Sequence, residues 1–343
     1  METIFVVDDC DVDLDMIRQA LGGSYRVFTL SSAEAMFDLI ETVVPDLVLL
    51  DIRMPGMDGF TALDKLSSDA RTAAVPVIFM TSYGDAETEA RGFEAGIVDF
   101  INKPFSQTVL LRRIEAHLRV DELIKRRTAR LTRLKNGIVS VLADIVEFRD
   151  ETAGGGGHID RTSRFIRTLI EAMKESGVYA DEMNDWDIDT MVASARLHDI
   201  GKIAVSDAIL NKPGKLTAQE FEVVKSHVKE GERIIDKIAA KTGDEEFLRF
   251  ARFFVSYHHE RWDGEGYPYG LTELNIPLIG RIMTLIDVYD ALVSVRPYKK
   301  PFPPDVAVNI ILQESGRHFD PKIVDVFSRK REEFIGIAAE KHG

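Results

Sequence analysis

The sequence predicts two domains, the first an α/β domain with a doubly wound, five-stranded parallel sheet and the second an all-α domain. Three observations indicate this fold class. The chain has 343 residues, which is more than one ordinary hydrophobic core accommodates. Short apolar runs alternate with amphipathic helical stretches over residues 1–120, as in parallel sheets that helices cover on both faces. Beyond residue 150 no strand-like alternation persists, so we predict helices joined by short loops there.

The composition is that of a soluble globular protein and excludes several functional classes. Hydrophobic residues make up 45% and charged residues 29%, and the net charge of −14 argues against a broad surface for nucleic acid or anionic membrane. A single cysteine, Cys10, excludes an intramolecular disulfide and a cysteine-rich zinc site. The N-terminus lacks the basic region of a signal peptide, and no apolar run approaches the roughly 20 residues that span a bilayer. We therefore expect a cytoplasmic protein that binds neither nucleic acid nor membrane.

Five strands are predicted in the first domain, at residues 4–8, 25–30, 46–51, 75–80 and 98–101, with helices such as 32–42 and 85–95 between them. Ligands of a parallel sheet sit beyond the carboxyl ends of its strands. The predicted strands end at acidic, hydroxyl and basic side chains: Asp8, Asp9, Asp51, Thr81 and Lys103. Carboxylates that converge in one pocket repel each other, so Asp8, Asp9 and Asp51 predict a Mg²⁺ site. With the ion bound, one carboxylate can attack a phosphoryl donor, and Thr81 and Lys103 would hold the phosphoryl oxygens.

The same segments resemble the receiver domain of response regulators. The matching stretches are VVDD at 6–9, LLDIRMPGMDG at 49–59, MTS at 80–82 and NKPF at 102–105. The resemblance covers residues 1–120 and implies a flavodoxin-like fold that a cognate sensor histidine kinase phosphorylates. It implies that the phosphoacceptor is Asp51, that the Mg²⁺ ligands are Asp8, Asp9 and Asp51, and that the switch residues are Thr81, Lys103 and the reorienting aromatic Phe100. The bond between Lys103 and Pro104 is a candidate cis peptide.

Residues 121–150 are predicted to form a helical linker. Seam residues recur there in alternating steps of four and three, which is the spacing of a coiled coil or of a helix that feeds a bundle. They are Val120, Ile124, Arg127, Leu131, Leu134, Ile138, Val141, Ile145 and Phe148. One long helix that packs on its own domain would show the same spacing, so both interpretations stay open. A homodimer through this seam would pass a change in the first domain to the second.

A cluster of histidines and aspartates in the second half predicts a metalloenzyme. Five of the eight histidines belong to it, together with two aspartates: His158, His198, His227, His258, His259, Asp199 and Asp287. These nitrogen and oxygen ligands suffice for more than one divalent cation. Residues 187–199 have the pattern of a buried helix, which predicts that His198 and Asp199 lie at its inner end. A buried aspartate beside a histidine is costly unless it is paired or binds metal.

The sequence around this cluster resembles a known superfamily and, within it, one family. His198 and Asp199 followed by Asp287 are similar to the HD metal-dependent phosphohydrolase superfamily. Residues 133–343 are similar to the HD-GYP family of cyclic dinucleotide phosphodiesterases. The matching stretches are LHDIGKI at 197–203, LNKPGKLT at 210–217, HHERWDGEGYP at 258–268, DVYDAL at 287–292, RPYK at 296–299 and SGRHFDP at 315–321.

The resemblance implies a hydrolase with two metal ions. Asp199 would bridge both ions, with His158, His198 and Asp287 completing one site and His227, His258 and His259 the other. Donor sets of this kind suit Fe, Mn, Ni or Zn, and the ligand types do not choose among these metals. The predicted catalytic residues are Asp199 and Lys202, and the predicted substrate contacts are Lys202, Tyr267, Arg296 and Lys299.

One segment departs from the family pattern. The family places a glutamate four positions before the histidine that corresponds to His158. Here Gly154 stands at that position, and Glu151 lies seven residues before His158. We therefore expect two metal ions, with a third only if this glycine-rich segment folds Glu151 back toward the site.

These observations predict a response regulator that hydrolyses cyclic di-GMP under the control of phosphorylation at Asp51. Two alternatives stay open. One is a phosphodiesterase for another cyclic dinucleotide such as cyclic GMP-AMP. The other is a slow-turnover scaffold that binds a diguanylate cyclase through the loop Gly266-Tyr267-Pro268. The direction in which phosphorylation changes activity is open as well.

Overall fold

The computed structural model divides into two compact units, Met1–Leu131 and Thr132–Gly343. The first unit is a parallel sheet flanked by helices, and the second is helical. This confirms the predicted fold class. The domain ranges predicted from the sequence, 1–120, 121–150 and 133–343, stay predictions. The structure describes residues 1–82, 86–150, 157–243, 245–295 and 300–340.

Five parallel strands form the sheet of the first unit: β1 (Thr3–Val7), β2 (Arg26–Leu30), β3 (Leu47–Asp51), β4 (Val77–Thr81) and β5 (Asp99–Asn102). Their order across the sheet is β2-β1-β3-β4-β5. Strand β3 is buried along its whole length, as its continuous apolar run predicts for a sheet covered on both faces. Each predicted strand is present, with small differences in its bounds. Strand β4 begins at Val77 because Pro76 has no N–H to donate to the ladder.

Helices cover both faces of this sheet: α1 (Asp11–Leu21), α2 (Ala33–Ile40), α3 (Gly59–Ser68), α4 (Ala86–Glu94) and α5 (Gln107–Arg149). Successive strand residues point to opposite faces, so Phe5 and Val7 lie in one core and Ile4 and Val6 in the other. Ser32 caps α2 by accepting the backbone N–H of Ala35. This cap explains why α2 begins one residue later than the sequence predicts.

Helix α5 presents its heptad seam to solvent. Its apolar seam residues are each 48% or more exposed: Val120, Ile124, Leu131, Leu134, Ile138, Val141, Ile145 and Phe148. Val139 and Val146 are buried instead and pack with Leu197 and Ile200 in a core of the second unit. The C-terminal part of α5 therefore packs in the second unit through residues outside the seam. The coiled-coil interpretation of the seam stays a prediction.

The second unit is built from helices around the buried α11. Its helices are α6 (His158–Ser176), α7 (Ile188–Ala195), α8 (Asp207–Leu210), α9 (Ala218–Thr242), α10 (Glu245–Tyr257), α11 (Leu278–Val293), α12 (Pro304–Gln313), α13 (Pro321–Arg329) and α14 (Arg331–Ala339). Its described residues form isolated bridges but no β-strand. No helix in the described ranges is long and apolar enough to cross a membrane.

The structure corrects one predicted helix. We expected a helix over residues 187–199 with His198 and Asp199 at its inner end, but α7 ends at Ala195. The backbone then tightens: His198 N–H donates to the Ala195 carbonyl, and a 3₁₀ helix follows at Ile200–Ala204. His198 and Asp199 therefore lie in the turn between two short helices. Apolar periodicity does not distinguish this tight turn from a continuing α-helix, because both keep the same residues buried.

Candidate metal centres

The first candidate site lies at the carboxyl ends of β1 and β3. Carboxylate oxygens of Asp8, Asp9 and Asp51 lie within 4.8 Å of one another there. The Lys103 ammonium is 2.6 Å from Asp8 Oδ2 and 3.0 Å from Asp51 Oδ2. It also lies 3.0 Å from Asp13, a residue that the sequence analysis missed. Burial raises the pKa of Asp8 above its ordinary value, and the charge of Asp51 acts in the same direction.

The remaining predicted switch residues lie on the two neighbouring strands. Thr81 is buried at the end of β4. Phe100, on β5, points inward and contacts the ring of Phe79 edge-to-face at 5.7 Å. It packs so closely on Gly92 that a Cβ there would lie 2.7 Å from the ring of Phe100. The Lys103–Pro104 peptide bond is cis, which confirms the sequence prediction.

Two further groups of candidate ligands meet in the second unit. One consists of His158, His198 and Asp287, and the other of Asp199, His227, His258 and His259; within each group the ligand atoms lie within 4.8 Å of one another. The side chains come from five separate places. They are the first turn of α6, the turn after α7, the middle of α9, the residues just after α10, and α11. The structure thus brings together all seven residues that the sequence predicts as ligands.

The carboxylate of Asp199 faces both groups. Its Oδ1 lies 3.4 Å from His227 Nε2 and 3.6 Å from His258 Nε2. Its Oδ2 lies 3.3 Å from His198 Nε2. Two ligands held at about 2.1 Å from one ion are themselves about 3.0–3.4 Å apart at ordinary coordination angles. The distances of 3.3 Å and 3.4 Å lie in this range and the distance of 3.6 Å lies just above it, so the spacing around Asp199 is close to that of atoms that share an ion.

Two buried atoms of this cluster support a metal at this position. Among the described residues, His198 Nε2 and Asp199 Oδ1 are buried and have no hydrogen-bond partner. A buried polar atom without a partner costs about 1–3 kcal/mol, so native proteins rarely leave one unsatisfied. Both atoms are of the kind that binds divalent metal ions. The residues present therefore fit the metal ions that the sequence predicts.

Backbone carbonyls orient three of the histidines. The Nδ1 atoms of His198, His227 and His258 lie 3.0, 2.6 and 2.8 Å from the carbonyls of Ala195, Val224 and Phe254. A carbonyl only accepts, so each Nδ1 carries the proton and each Nε2 keeps its lone pair. These Nε2 atoms are the ones that face the cluster.

The protonation states also suit metal ligands. Burial lowers the pKa of His227 to about 4 and that of His259 well below its ordinary value, so both rings are neutral at pH 7. Burial opposes ionisation of Asp199, but the neighbouring charge of Lys202 favours it, and the pKa of Asp199 lies well below its usual range. Neutral imidazoles and an ionised carboxylate are the forms that bind metal.

Lys202 lies in an ion-pair chain beside the cluster. Its ammonium is 2.7 Å from Asp199 Oδ2 and 2.8 Å from Asp150 Oδ2. The opposite charges of Asp199 and Asp150 outweigh burial and raise the pKa of Lys202. The sequence predicts a phosphate contact for Lys202, and the structure adds its contact with a candidate metal ligand. Sequence reasoning missed Asp150, because nothing in the pattern pairs residues 52 positions apart.

A cleft of about 490 Å³ opens beside the second group of ligands. Its lining includes His258, His259, Asp287, Phe221, Lys225 and Tyr267. The ring of Tyr267 lies 4.6 Å from that of His259, and the Lys225 ammonium lies 5.0 Å and 5.5 Å from the ring centroids of Phe221 and Tyr267. The sequence analysis predicted Tyr267 but missed Phe221 and Lys225. Arg296, Lys299 and Glu151, which also carry sequence predictions, lie outside the described residues.

The loop that carries Tyr267 is held by a buried glutamate. The two oxygens of Glu260 accept the backbone N–H groups of Tyr269 at 2.7 Å and Leu271 at 2.9 Å. Gly266 has no room for a side chain, because a Cβ would lie 2.4 Å from the backbone nitrogen of Arg261. The Tyr267 N–H donates to the carbonyl of His259. The loop is therefore tied directly to a candidate ligand.

Two family models match the chain. A model of the HD domain matches residues 140–323, more than half of the chain, and a model of the response regulator receiver domain matches residues 4–115. The chain belongs to the HD domain family. Its HD domain follows a receiver domain, which confirms the resemblance predicted from the sequence. Proteins of the HD family are metal-dependent hydrolases, in agreement with the ligand groups of the second unit.

Three relatives of this receiver–HD protein have names that bear on function. A Vibrio cholerae protein named "Probable cyclic di-GMP phosphodiesterase" is 36% identical over 98% of this chain and 79% of its own length. The Xanthomonas campestris "Cyclic di-GMP phosphodiesterase response regulator RpfG" is 32% identical over 98% of this chain and 90% of its own length. The Vibrio cholerae "3'3'-cGAMP-specific phosphodiesterase 2" is 35% identical over 59% of this chain and 36% of its own length. The first two align along both domains.

Proposed function

We propose that this receiver–HD protein is a metal-dependent phosphodiesterase that hydrolyses cyclic di-GMP and that phosphorylation of Asp51 controls it. The observation that carries the proposal is the position of Asp199. Its two carboxylate oxygens face two separate groups of histidine and aspartate ligands beside an open cleft. The names of the relatives that align along both domains support cyclic di-GMP as the substrate.

The donor set defines what the site holds. His158, His198 and Asp287 would hold one ion, His227, His258 and His259 the other, and Asp199 both. When bound, two ions of Fe, Mn, Ni or Zn activate a water molecule and stabilise the charge that develops on a phosphodiester. Bonds to Nδ1 hold three of the ligand rings in place, and burial keeps His227 and His259 neutral.

The cleft supports an anionic substrate that carries bases. The protein has a net charge of −14, but the cationic side chains of Lys225 and Arg261 line the cleft, and that of Lys202 lies beside the metal cluster. Lys202 would contact a phosphate oxygen, because its ammonium lies 2.7 Å from the central ligand Asp199. Phe221, which is 45% exposed, offers a ring on which a purine base can stack. Arg296 and Lys299 complete the substrate contacts that the proposal takes from the sequence.

The test is hydrolysis of cyclic di-GMP by metal-loaded protein, with the metal content of the same samples measured. The variant with His198→Ala and Asp199→Ala should lose both the ions and the turnover. His117→Ala is the matched control, since this histidine pairs with Asp99 in the receiver unit and should leave both unchanged. Fully metallated protein that leaves cyclic di-GMP intact would refute the proposed substrate.

The same assay separates two further candidates. One relative is named as specific for 3'3'-cGAMP, so a cyclic GMP-AMP substrate is tested in parallel, and the higher kcat/KM identifies the substrate. A slow-turnover scaffold would instead capture a diguanylate cyclase in a pull-down and lose it when Tyr267 is replaced by alanine. Retention of both ions with negligible turnover on either cyclic dinucleotide would favour this scaffold.

Regulation forms the second part of the proposal. A sensor histidine kinase would phosphorylate Asp51, with Mg²⁺ held by Asp8, Asp9 and Asp51. We include a homodimer through the exposed seam of α5, because apolar residues at heptad spacing are stabilised when a second helix covers them. Beryllofluoride should change the turnover or the mass measured by light scattering, and Asp51→Asn should abolish the change. Identical turnover and mass with and without beryllofluoride would contradict this control.

A further inference from the structure

Asp290 is a buried carboxylate that the proposed catalytic machinery does not use. It is 0% exposed and lies three residues after Asp287 on α11. Its Oδ2 lies 2.7 Å from Nδ1 of His158, and its Oδ1 lies 2.7 Å from Nε of Arg161. The Ser294 hydroxyl lies 3.1 Å from Oδ2. An ion this deeply buried costs several kcal/mol unless partners compensate, so its position calls for a reason.

We propose that Asp290 is a positioning residue for one of the two metal ions: it fixes the tautomer and the ring orientation of His158, and Arg161 and Ser294 hold it in place. The inference rests on the proposed function, since it takes His158 as a metal ligand.

The direction of the hydrogen bond between Asp290 and His158 determines which ring nitrogen faces the ion. An ionised carboxylate only accepts, so Nδ1 of His158 donates its proton to Asp290. In the neutral ring, which is the form that binds metal, the lone pair is then on Nε2. This atom lies 3.9 Å from Oδ1 of Asp287, in the group where the ion would bind. A carboxylate behind a ligating histidine also makes the ring a better electron donor to the metal.

Neighbouring side chains hold the carboxylate of Asp290 in place. Arg161 follows His158 by three residues, so both side chains lie on the same face of α6. The guanidinium reaches both oxygens of Asp290, at 2.7 Å and 3.1 Å, and the Ser294 hydroxyl at 2.6 Å. These bonds join α6, which carries His158, to α11, which carries Asp287. The pair therefore also sets the distance between two ligands of the same ion.

The two groups of ligands differ in the partners of their histidine Nδ1 atoms. In the other group, Nδ1 of His227 and Nδ1 of His258 bond to carbonyls of their own helices instead of to a carboxylate. Loss of the Asp290 charge should therefore lower the affinity for the ion that His158 holds and leave the affinity for the other ion unchanged. A general loss of packing would weaken both.

A second buried pair offers a matched control. Asp320 is 2% exposed and accepts from Arg281 at 2.7 Å and from the Tyr179 hydroxyl at 2.9 Å. This is the same chemistry as the Asp290–Arg161 pair, but Arg281 and Tyr179 are not candidate metal ligands. Asp320→Asn should reduce the unfolding free energy much as Asp290→Asn does, because each change removes the charge of a carboxylate that is hydrogen-bonded to a buried guanidinium.

The experiment measures metal affinity at each site by titrating the full-length protein with a chelator, with the metal content per chain quantified at each step. In Asp290→Asn we expect one ion to bind about 10–100-fold more weakly and the other to stay unchanged. Asp320→Asn should keep both affinities. If Asp290→Asn does not fold, Ser294→Ala removes one bond to the same carboxylate and one to Arg161, and it should weaken the binding of the same ion several-fold.

Two results would overturn the inference. One is an unchanged affinity for both ions in Asp290→Asn and Ser294→Ala, and the other is an equal loss at both sites. Either result leaves the proposed phosphodiesterase intact as long as the wild-type protein binds two ions and turns over. A wild-type protein that binds no ion contradicts the proposed function itself and this inference with it.

Discussion

Gly201 lies where two elements that carry candidate ligands touch. It is buried in the 3₁₀ helix Ile200–Ala204, two residues after Asp199, and packs against α9 at His227. A Cβ added at Gly201 would lie 1.8 Å from the carbonyl oxygen of His227 and 2.5 Å from the backbone nitrogen of Gly231. Both obstacles are backbone atoms, which cannot rotate away. Gly201→Ala must therefore push the two elements apart.

The size of the displacement follows from these distances. Ordinary van der Waals contact begins at 3.4 Å, so the contact at 1.8 Å must open by about 1.6 Å. The atoms Asp199 Oδ1 and His227 Nε2 are 3.4 Å apart in the wild type. If the displacement of the two elements is transmitted in full to these two atoms, the distance between them exceeds the roughly 4.2 Å that two ligands of one ion can span. Overpacking of this kind costs about 1–3 kcal/mol, and misplacement by about 1 Å costs about 100-fold in rate.

The assay combines three measurements on the same protein. In Gly201→Ala, urea unfolding should show a loss of about 1–3 kcal/mol, the metal content should fall, and turnover of cyclic di-GMP should drop about 100-fold. Gly336→Ala is the control: it lies inside α14, and no atom lies within 4 Å of the added Cβ. There we expect unchanged turnover and a stability gain of up to about 1 kcal/mol. Wild-type stability, metal content and turnover in Gly201→Ala would refute the reasoning.

Three further outcomes are expected. Phe221→Ala should raise KM for cyclic di-GMP about ten-fold with little change in kcat, because base stacking contributes about 1–3 kcal/mol, whereas Val223→Ala, exposed on the same helix, should leave KM unchanged. Burial and the charge of Arg261 lower the pKa of His318 to about 4. Since the unfolded chain binds a proton there from about pH 6.5 downward, the unfolding free energy should fall between pH 6.5 and 4, by at most about 1.4 kcal/mol per unit. His318→Gln should flatten that slope in urea unfolding, and an unaltered slope would contradict this assignment. Glu260→Gln should lower the unfolding free energy by about 1–3 kcal/mol, since its amide N–H₂ would face a backbone N–H; an unchanged midpoint would show that this carboxylate does not hold the loop.

The receiver unit was predictable almost in full. Strands β1, β3 and β4 are almost entirely apolar and buried on both faces, and such runs can be recognised in the sequence without knowing what packs on them. The carboxyl ends of parallel strands meet at one edge of the sheet, so the order of motifs along the chain already places Asp8, Asp51 and Lys103 together. Asp13 was missed, because it is one of several acidic residues in the first turns of α1 and only its distance from Lys103 distinguishes it.

In the HD unit the sequence indicated the candidate ligands that the structure brings together, but it was less informative about the local structure. Histidines and aspartates in this number point to metal ions wherever they lie on the backbone, so the ligand set did not depend on the helix bounds. The helix predicted over residues 187–199 was wrong in its last turn. Hydrogen bonds between residues three apart replace the α-helical ones there, and apolar periodicity is insensitive to that change.

By itself, the sequence determined which residues are apolar, which can bind a divalent ion and which motifs stand at strand ends. The tertiary structure alone decided which of them are partners. Asp290 is hydrogen-bonded to His158, which lies 132 residues earlier in the chain, and Lys202 is hydrogen-bonded to Asp150, which lies 52 residues earlier. The physical reason is that helical periodicity specifies the face on which a side chain lies. Which distant segment then covers that face depends on how all the helices pack together.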